Sequence, residues 1–103
     1  MQTLKNHVTL VGNMGDAAQI TNFENGNKVA RFSLATNHFK NGTKRPEWHR
    51  VFAWGNIAGF IENYGKQGKQ LAIHGRLVNR TYTNKEGKTR KVTEVEVKHV
   101  IGL

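Results

Sequence analysis

The sequence predicts an all-β domain: a small barrel of five long strands with one short helix between the third and fourth. Three observations carry that expectation. Most of the chain alternates apolar and polar residues with a period of two, as strands with one face in a core do. Turn signals separate these alternating runs. Only one stretch, residues 57–64, changes to the helical period.

The elements follow in order. Val8-Thr9-Leu10-Val11 is a strand that ends at Gly12-Asn13-Met14-Gly15, and a short strand covers Gln19 to Phe23. Asn25-Gly26-Asn27 is a hairpin signal, because Asn and Gly tolerate positive φ. Val29 to Phe39 is the next long strand, and the polar, basic residues 40–46 are read as a loop. Glu47 to Gly55 is the third long strand. Ile57, Phe60, Ile61 and Tyr64 then lie at i, i+3, i+4 and i+7, with Asn56 as N-cap and Gly65 as stop, which predicts an amphipathic helix. A fourth strand spans Lys69 to Thr83, a tight turn falls at Asn84 to Lys88, and a fifth strand runs to Ile101. This element order is that of an OB-fold, a five-stranded Greek-key barrel.

Length and composition bound the rest. A chain of 103 residues with 37% apolar residues supports one compact domain, 1–103, and no second core. Cysteine is absent, which excludes disulfides, thiolate catalysis and Cys-type metal sites. No apolar run approaches the length of a membrane span, and Met1-Gln2-Thr3-Leu4-Lys5 carries no signal-peptide core, so a soluble, cytoplasmic domain is expected. Asp16 is the only aspartate, the six glutamates are scattered, and Ser33 is the only serine. Neither a carboxylate metal centre nor a Ser-His-Asp arrangement emerges, so no enzyme, cofactor or metal is expected. His49, beside Trp48, falls on the core or subunit-interface parity.

Charge gives the first functional direction. Sixteen Lys and Arg against seven Asp and Glu leave a net charge of +9, a field that attracts polyanions. Strand parity sharpens it. Trp48, Arg50, Phe52 and Trp54 share one face, and His49, Val51 and Ala53 share the other. On the next strand Leu71, Ile73 and Leu77 point to the core, while Arg76, Arg80 and Tyr82 point away. Aromatics interleaved with arginines suit single-stranded nucleic acid, whose bases stack for ~1–3 kcal/mol each while the cations neutralise phosphates. Trp48 and Trp54 are the principal candidates. Phe52, mid-strand and easily covered, is left open between platform and core. Lys40, Lys44 and Arg45, and then Lys85, Lys88, Arg90 and Lys91, add basic loops around the same surface.

Four segments carry a family resemblance: Val8-Thr9-Leu10-Val11-Gly12-Asn13-Met14-Gly15, Phe32-Ser33-Leu34-Ala35-Thr36-Asn37, Glu47-Trp48-His49-Arg50-Val51 and Gly75-Arg76-Leu77. In order and spacing they resemble the bacterial single-stranded DNA-binding proteins over nearly the whole chain. The resemblance implies base stacking on Phe39, Trp48, Trp54 and Tyr82, and phosphate contacts from Lys5, Arg50, Lys66, Arg76 and Arg80. Phe39 and Tyr82 stand where the family usually has Trp, and Trp54 stands where Phe is common. Homotetramers that wrap single-stranded DNA, acting in replication, recombination and repair, are implied as well. The residues alone leave a primosome-type or RNA-binding OB module open, since stacking and phosphate contacts are common to both nucleic acids. Family members usually continue into a flexible tail with an acidic tip. This sequence ends at Ile101-Gly102-Leu103, so partners recruited through such a tail are not expected.

Overall fold

The computed structural model describes residues 5–103; Met1 to Leu4, part of the start scanned for a signal sequence, lie outside the described residues. Six strands and one helix follow in the order β1 (Val8–Met14), β2 (Gln19–Asn22), β3 (Lys28–Lys40), β4 (Thr43–Trp54), α1 (Gly55–Tyr64), β5 (Gln70–Thr83) and β6 (Thr89–Gly102). The hydrogen-bonded order is β1-β5-β6-β4-β3-β2, and a further β1–β3 pairing closes five of these strands into a barrel. The short β2 sits outside that ring, antiparallel to β3. All pairs are antiparallel except β4–β6. The expected OB-fold barrel is therefore the observed one.

Closure depends on β1, which runs three residues beyond the expected Val11. It pairs with β5 from Val8 to Asn13 and then with β3 at Asn13 and Met14. Gly12 permits the crossing, because a Cβ there would lie 2.3 Å from the Ala35 carbonyl oxygen. Inside, Leu34, Val51, Ala53, Leu71, Ile73, Val95 and Val97 form the core, with Ala58 and Ile61 of α1 packed into it. The parity readings of β4 and the start of β5 hold at Val51, Ala53, Leu71 and Ile73.

Three local readings change. Residues 40–46 are not a loop: β3 and β4 form one continuous hairpin, with Asn37 opposite Pro46 and a two-residue turn at Asn41-Gly42. Both turn residues have positive φ, 53° and 78°, the geometry that follows the twist of the strands. The helix starts two residues earlier than expected, with the backbone of Trp54 rather than Asn56 at the N-cap, whereas Gly65 does end it by donating to the Ile61 carbonyl. Leu77 is exposed, not core. β1 pairs with β5 only as far as Gly75, so beyond it β5 loses that neighbour and the Leu77 side chain opens to solvent. Its backbone is held by Asn6, which both donates to and accepts from it.

The β5–β6 ladder changes register between His74 and Gly75, where Lys98 of β6 is the extra residue. The bulge moves the inward set of β6 from Val95 and Val97 to Val100. Beyond it both strands continue past the barrel as a long arm ending in the 84–88 turn, where Asn84 and Lys88 bond through their backbones.

Candidate nucleic-acid interface

The ladder register decides which side chains share the surface. Residues directly opposite one another in a ladder project to the same side of the sheet. Across β3–β4, Arg31 lies opposite Phe52, Ser33 opposite Arg50, and Ala35 opposite Trp48. Across β4–β6, Arg50 lies opposite Glu94 and Phe52 opposite Glu96. Across β6–β5, Glu96 meets Arg76, Val92 meets Arg80, and Arg90 meets Tyr82. One face of four adjacent strands thus collects the aromatics and arginines.

The four expected platforms are all on the outside. Phe39 is 72% exposed, Trp48 59%, Trp54 43% and Tyr82 40%, which for such large apolar rings leaves room for a partner to stack. Small residues set two of them. Trp48 lies against Gly15, where a Cβ would come within 2.5 Å of the indole ring. Ala35 opposite it adds no bulk. Trp54 stacks on Phe23, ring centroids 5.9 Å apart and 27° between planes. Phe39 projects near the tip of the β3–β4 hairpin, opposite Lys44. Phe52 is buried, with the Arg31 guanidinium 5.3 Å above its ring, so it packs the wall of the face and is no platform.

The basic residues divide by position. Arg50, Arg80 and Tyr82 line a cleft of about 430 Å³ together with Arg31, Ser33 and Glu94. At its base Glu94, only 4% exposed, is the one buried charged residue among those described. Arg31 and Arg80 each donate one Nη1–H to it at 3.4 Å, and the Tyr82 hydroxyl donates at 3.3 Å. Arg80 also lies 6.0 Å from the Tyr82 ring centroid. Arg76 is occupied by Glu96 at 2.8 Å, and Lys98 approaches the same carboxylate at 3.5 Å. Lys66 is in the loop after α1, whose Gly68 and Lys69 bond to Met14, the neighbour of Gly15 beneath Trp48. Lys5 precedes Asn6, which is tied to Leu77 next to Arg76.

Sequence reading missed Arg31, Glu94 and Phe23. For Phe23 a signal existed, an apolar residue stranded beside the Asn25-Gly26 turn. Glu94 left none, because only the β4–β6 pairing, remote in sequence, brings it opposite Arg50. No group of three or more His, Asp or Glu among the described residues is placed to hold a metal ion. No helix among them is long and apolar enough to cross a membrane.

This architecture has close counterparts. A solved structure described as "Plasmodium falciparum SSB complex with ssDNA" superposes with a TM-score of 0.86 at 28% identity, covering 100% of this chain and 98% of that one. A Chlorobaculum tepidum protein named single-stranded DNA-binding protein 1 is 38% identical over 96 residues, 87% of this chain and 59% of its own length. A single-stranded DNA-binding protein of Bacteroides thetaiotaomicron is 34% identical over 99 residues, 89% of this chain and 62% of its own length. The chain therefore spans about three fifths of the length of these curated relatives. The family described as the single-strand binding protein family matches residues 5–103 in one piece, and the chain belongs to that family.

Proposed function

We propose that this protein binds single-stranded DNA without regard to sequence, by stacking bases on Trp48, Trp54, Phe39 and Tyr82 and neutralising the phosphates between them. The observation that carries the reading is the single sheet face on which four exposed aromatic rings alternate with arginines. Unpaired bases offer π-faces to such rings, and a duplex hides them. Arg50, Arg80, Lys5 and Lys66 supply the positive field. Arg76 adds to it while paired with Glu96, as Arg80 does while paired with Glu94. The names of the relatives and the DNA in the Plasmodium complex support the same reading. Nothing in this chemistry asks the protein to make or break a covalent bond, so we read it as a binding protein that shields single strands in replication, recombination and repair, in the cytoplasm at the nucleoid.

We further infer that the protein is a homotetramer. At the ends of β5 and β6 remote from Tyr82 and Arg90, Val11, Ala72 and Ile101 form one row across β1, β5 and β6, and Val11 and Ile101 are exposed. Pairing copies through that row would bury apolar surface and leave the aromatic faces outward, so one strand could cross several subunits.

Titration with oligo-dT, followed by tryptophan fluorescence, tests the binding. Quenching on binding, with poor competition by a duplex of equal length, is expected. Unchanged emission at saturation, or equal competition by duplex, rejects the stacking. A parallel titration with oligo-U separates the DNA reading from an RNA-binding module. Light scattering tests assembly: a monomer mass at every concentration removes the tetramer.

A further inference from the structure

The carboxylate at the base of the cleft runs against the charge of everything around it. A negative group beneath a surface for a polyanion weakens long-range attraction. Nor does stability explain it, because burying an ion pair rarely outperforms well-packed apolar side chains of the same volume. Its geometry offers a different reason. Glu94 receives Arg31 from β3 and both Arg80 and Tyr82 from β5, while lying on β6 itself. Each guanidinium gives it one of five N–H donors, so most of the donors stay available to the cleft. The Tyr82 hydroxyl bond restricts the direction of the ring it carries.

We propose that Glu94 is a positioning residue that sets Arg31 and Arg80 to take one phosphodiester of a single strand and fixes the plane of Tyr82 for a neighbouring base. This rests on the single-strand reading above. A phosphate in the cleft receives donors from two arginines held apart by the same carboxylate, with Arg50 directly across the ladder. The base beside it meets a ring whose tilt the carboxylate has already set. One buried residue thereby links a phosphate contact to a base contact.

The charge of Glu94→Gln gives the test its sign. The substitution raises net charge by one, so field alone predicts tighter binding of oligo-dT. Loss of positioning predicts the reverse: binding weakened by roughly fivefold to tenfold, and a salt slope that flattens by about 0.7 for each phosphate no longer neutralised. Tyr82→Phe keeps the ring, the carboxylate and the net charge. It should weaken binding several-fold with the salt slope intact. The double variant should bind no worse than Glu94→Gln alone, because both changes release the same ring. Melting curves establish that each variant is folded. A folded Glu94→Gln that binds as tightly as the unchanged protein, or tighter, overturns the proposal, and so does additivity in the double variant. Should Glu94→Gln fail to fold, Tyr82→Phe decides: binding equal to that of the unchanged protein overturns the proposal, and weakened binding upholds it. A failure of the single-strand reading looks different, because the unchanged protein itself would then bind no oligo-dT.

Discussion

At the scale of single residues the face is prepared by what is small as much as by what is large. Gly15 lets the six-membered ring of the Trp48 indole come close against the end of β1, and a Cβ there would lie 2.5 Å from it. Gly15→Ala should therefore swing Trp48 out of place and weaken oligo-dT binding several-fold. It should cost little stability, about 1 kcal/mol or less, since the ring is mostly exposed. Fluorescence titration beside a urea melt separates the two effects, and loss of stability without loss of affinity would refute it. Arg50 tests the phosphate assignment. Arg50→Ala should flatten the dependence of log K on log salt by about 0.7, the share of a single phosphate. Preference among dT, dA and dC should stay unchanged, because phosphate contacts carry no sequence information. Much of this surface was legible from parity: Trp48, Arg50 and Trp54 do share a face. Phe52 shares it too, yet Arg31 covers it. Alternation reports the side of a sheet and is silent about what a neighbouring strand lays on top.

At the scale of elements, turns and bulges separate what periodicity shows from what it hides. The strand–helix–strand order was readable because periodicity changes sharply at Ile57 and again after Gly65. Asn41-Gly42 has the same dipeptide as Asn25-Gly26 and makes a tight hairpin turn, but the surrounding lysines and Pro46 gave it the look of a loop. Leu77 fits the inward pleat of Leu71 and Ile73, and it fails as core only because β1 stops covering β5 at Gly75. Gly75 itself is fixed by close approach, since a Cβ there would stand 1.9 Å from the Glu96 carbonyl oxygen. Gly75→Ala should destabilise by about 3 kcal/mol, read as a lower midpoint in urea. An unchanged midpoint would show that the bulge can absorb the methyl group. On the outer side of the same ladder, His74 packs between His7 and His99, with ring centroids 4.2 and 5.4 Å away. Burial first, and then the positive charge of either neighbour, holds its imidazole below the ordinary value of 6.5. The unfolded chain then binds the proton more readily, so stability is complete above pH 6.5 and declines as pH falls from there toward the lowered value. The melting temperature should drop over that window, and His74→Gln should flatten the drop. Identical pH profiles would contradict this.

At the scale of the whole molecule, the sign of the charge needed only composition, whereas the closed ring needed pairing between distant segments. β1 meets β5 about 60 residues away as well as β3 about 20 residues away, and nothing in residues 8–14 announces two partners. The barrel consequently has an order of assembly written into its connectivity. The β3–β4 and β5–β6 hairpins are local and inexpensive in loop entropy, while the seal by β1 is the longest closure and comes late. A part of the structure absent from the folding transition state acts as a latch on escape rather than a step on entry. Leu10, half-buried against the core from β1, measures this. Leu10→Ala should remove about 2 kcal/mol, nearly all of it as faster unfolding, with the refolding limb of the chevron unmoved. Slower refolding at a constant unfolding rate would instead place β1 in the nucleus. How long the native barrel survives between openings is then governed by its first strand, the one the chain finds last.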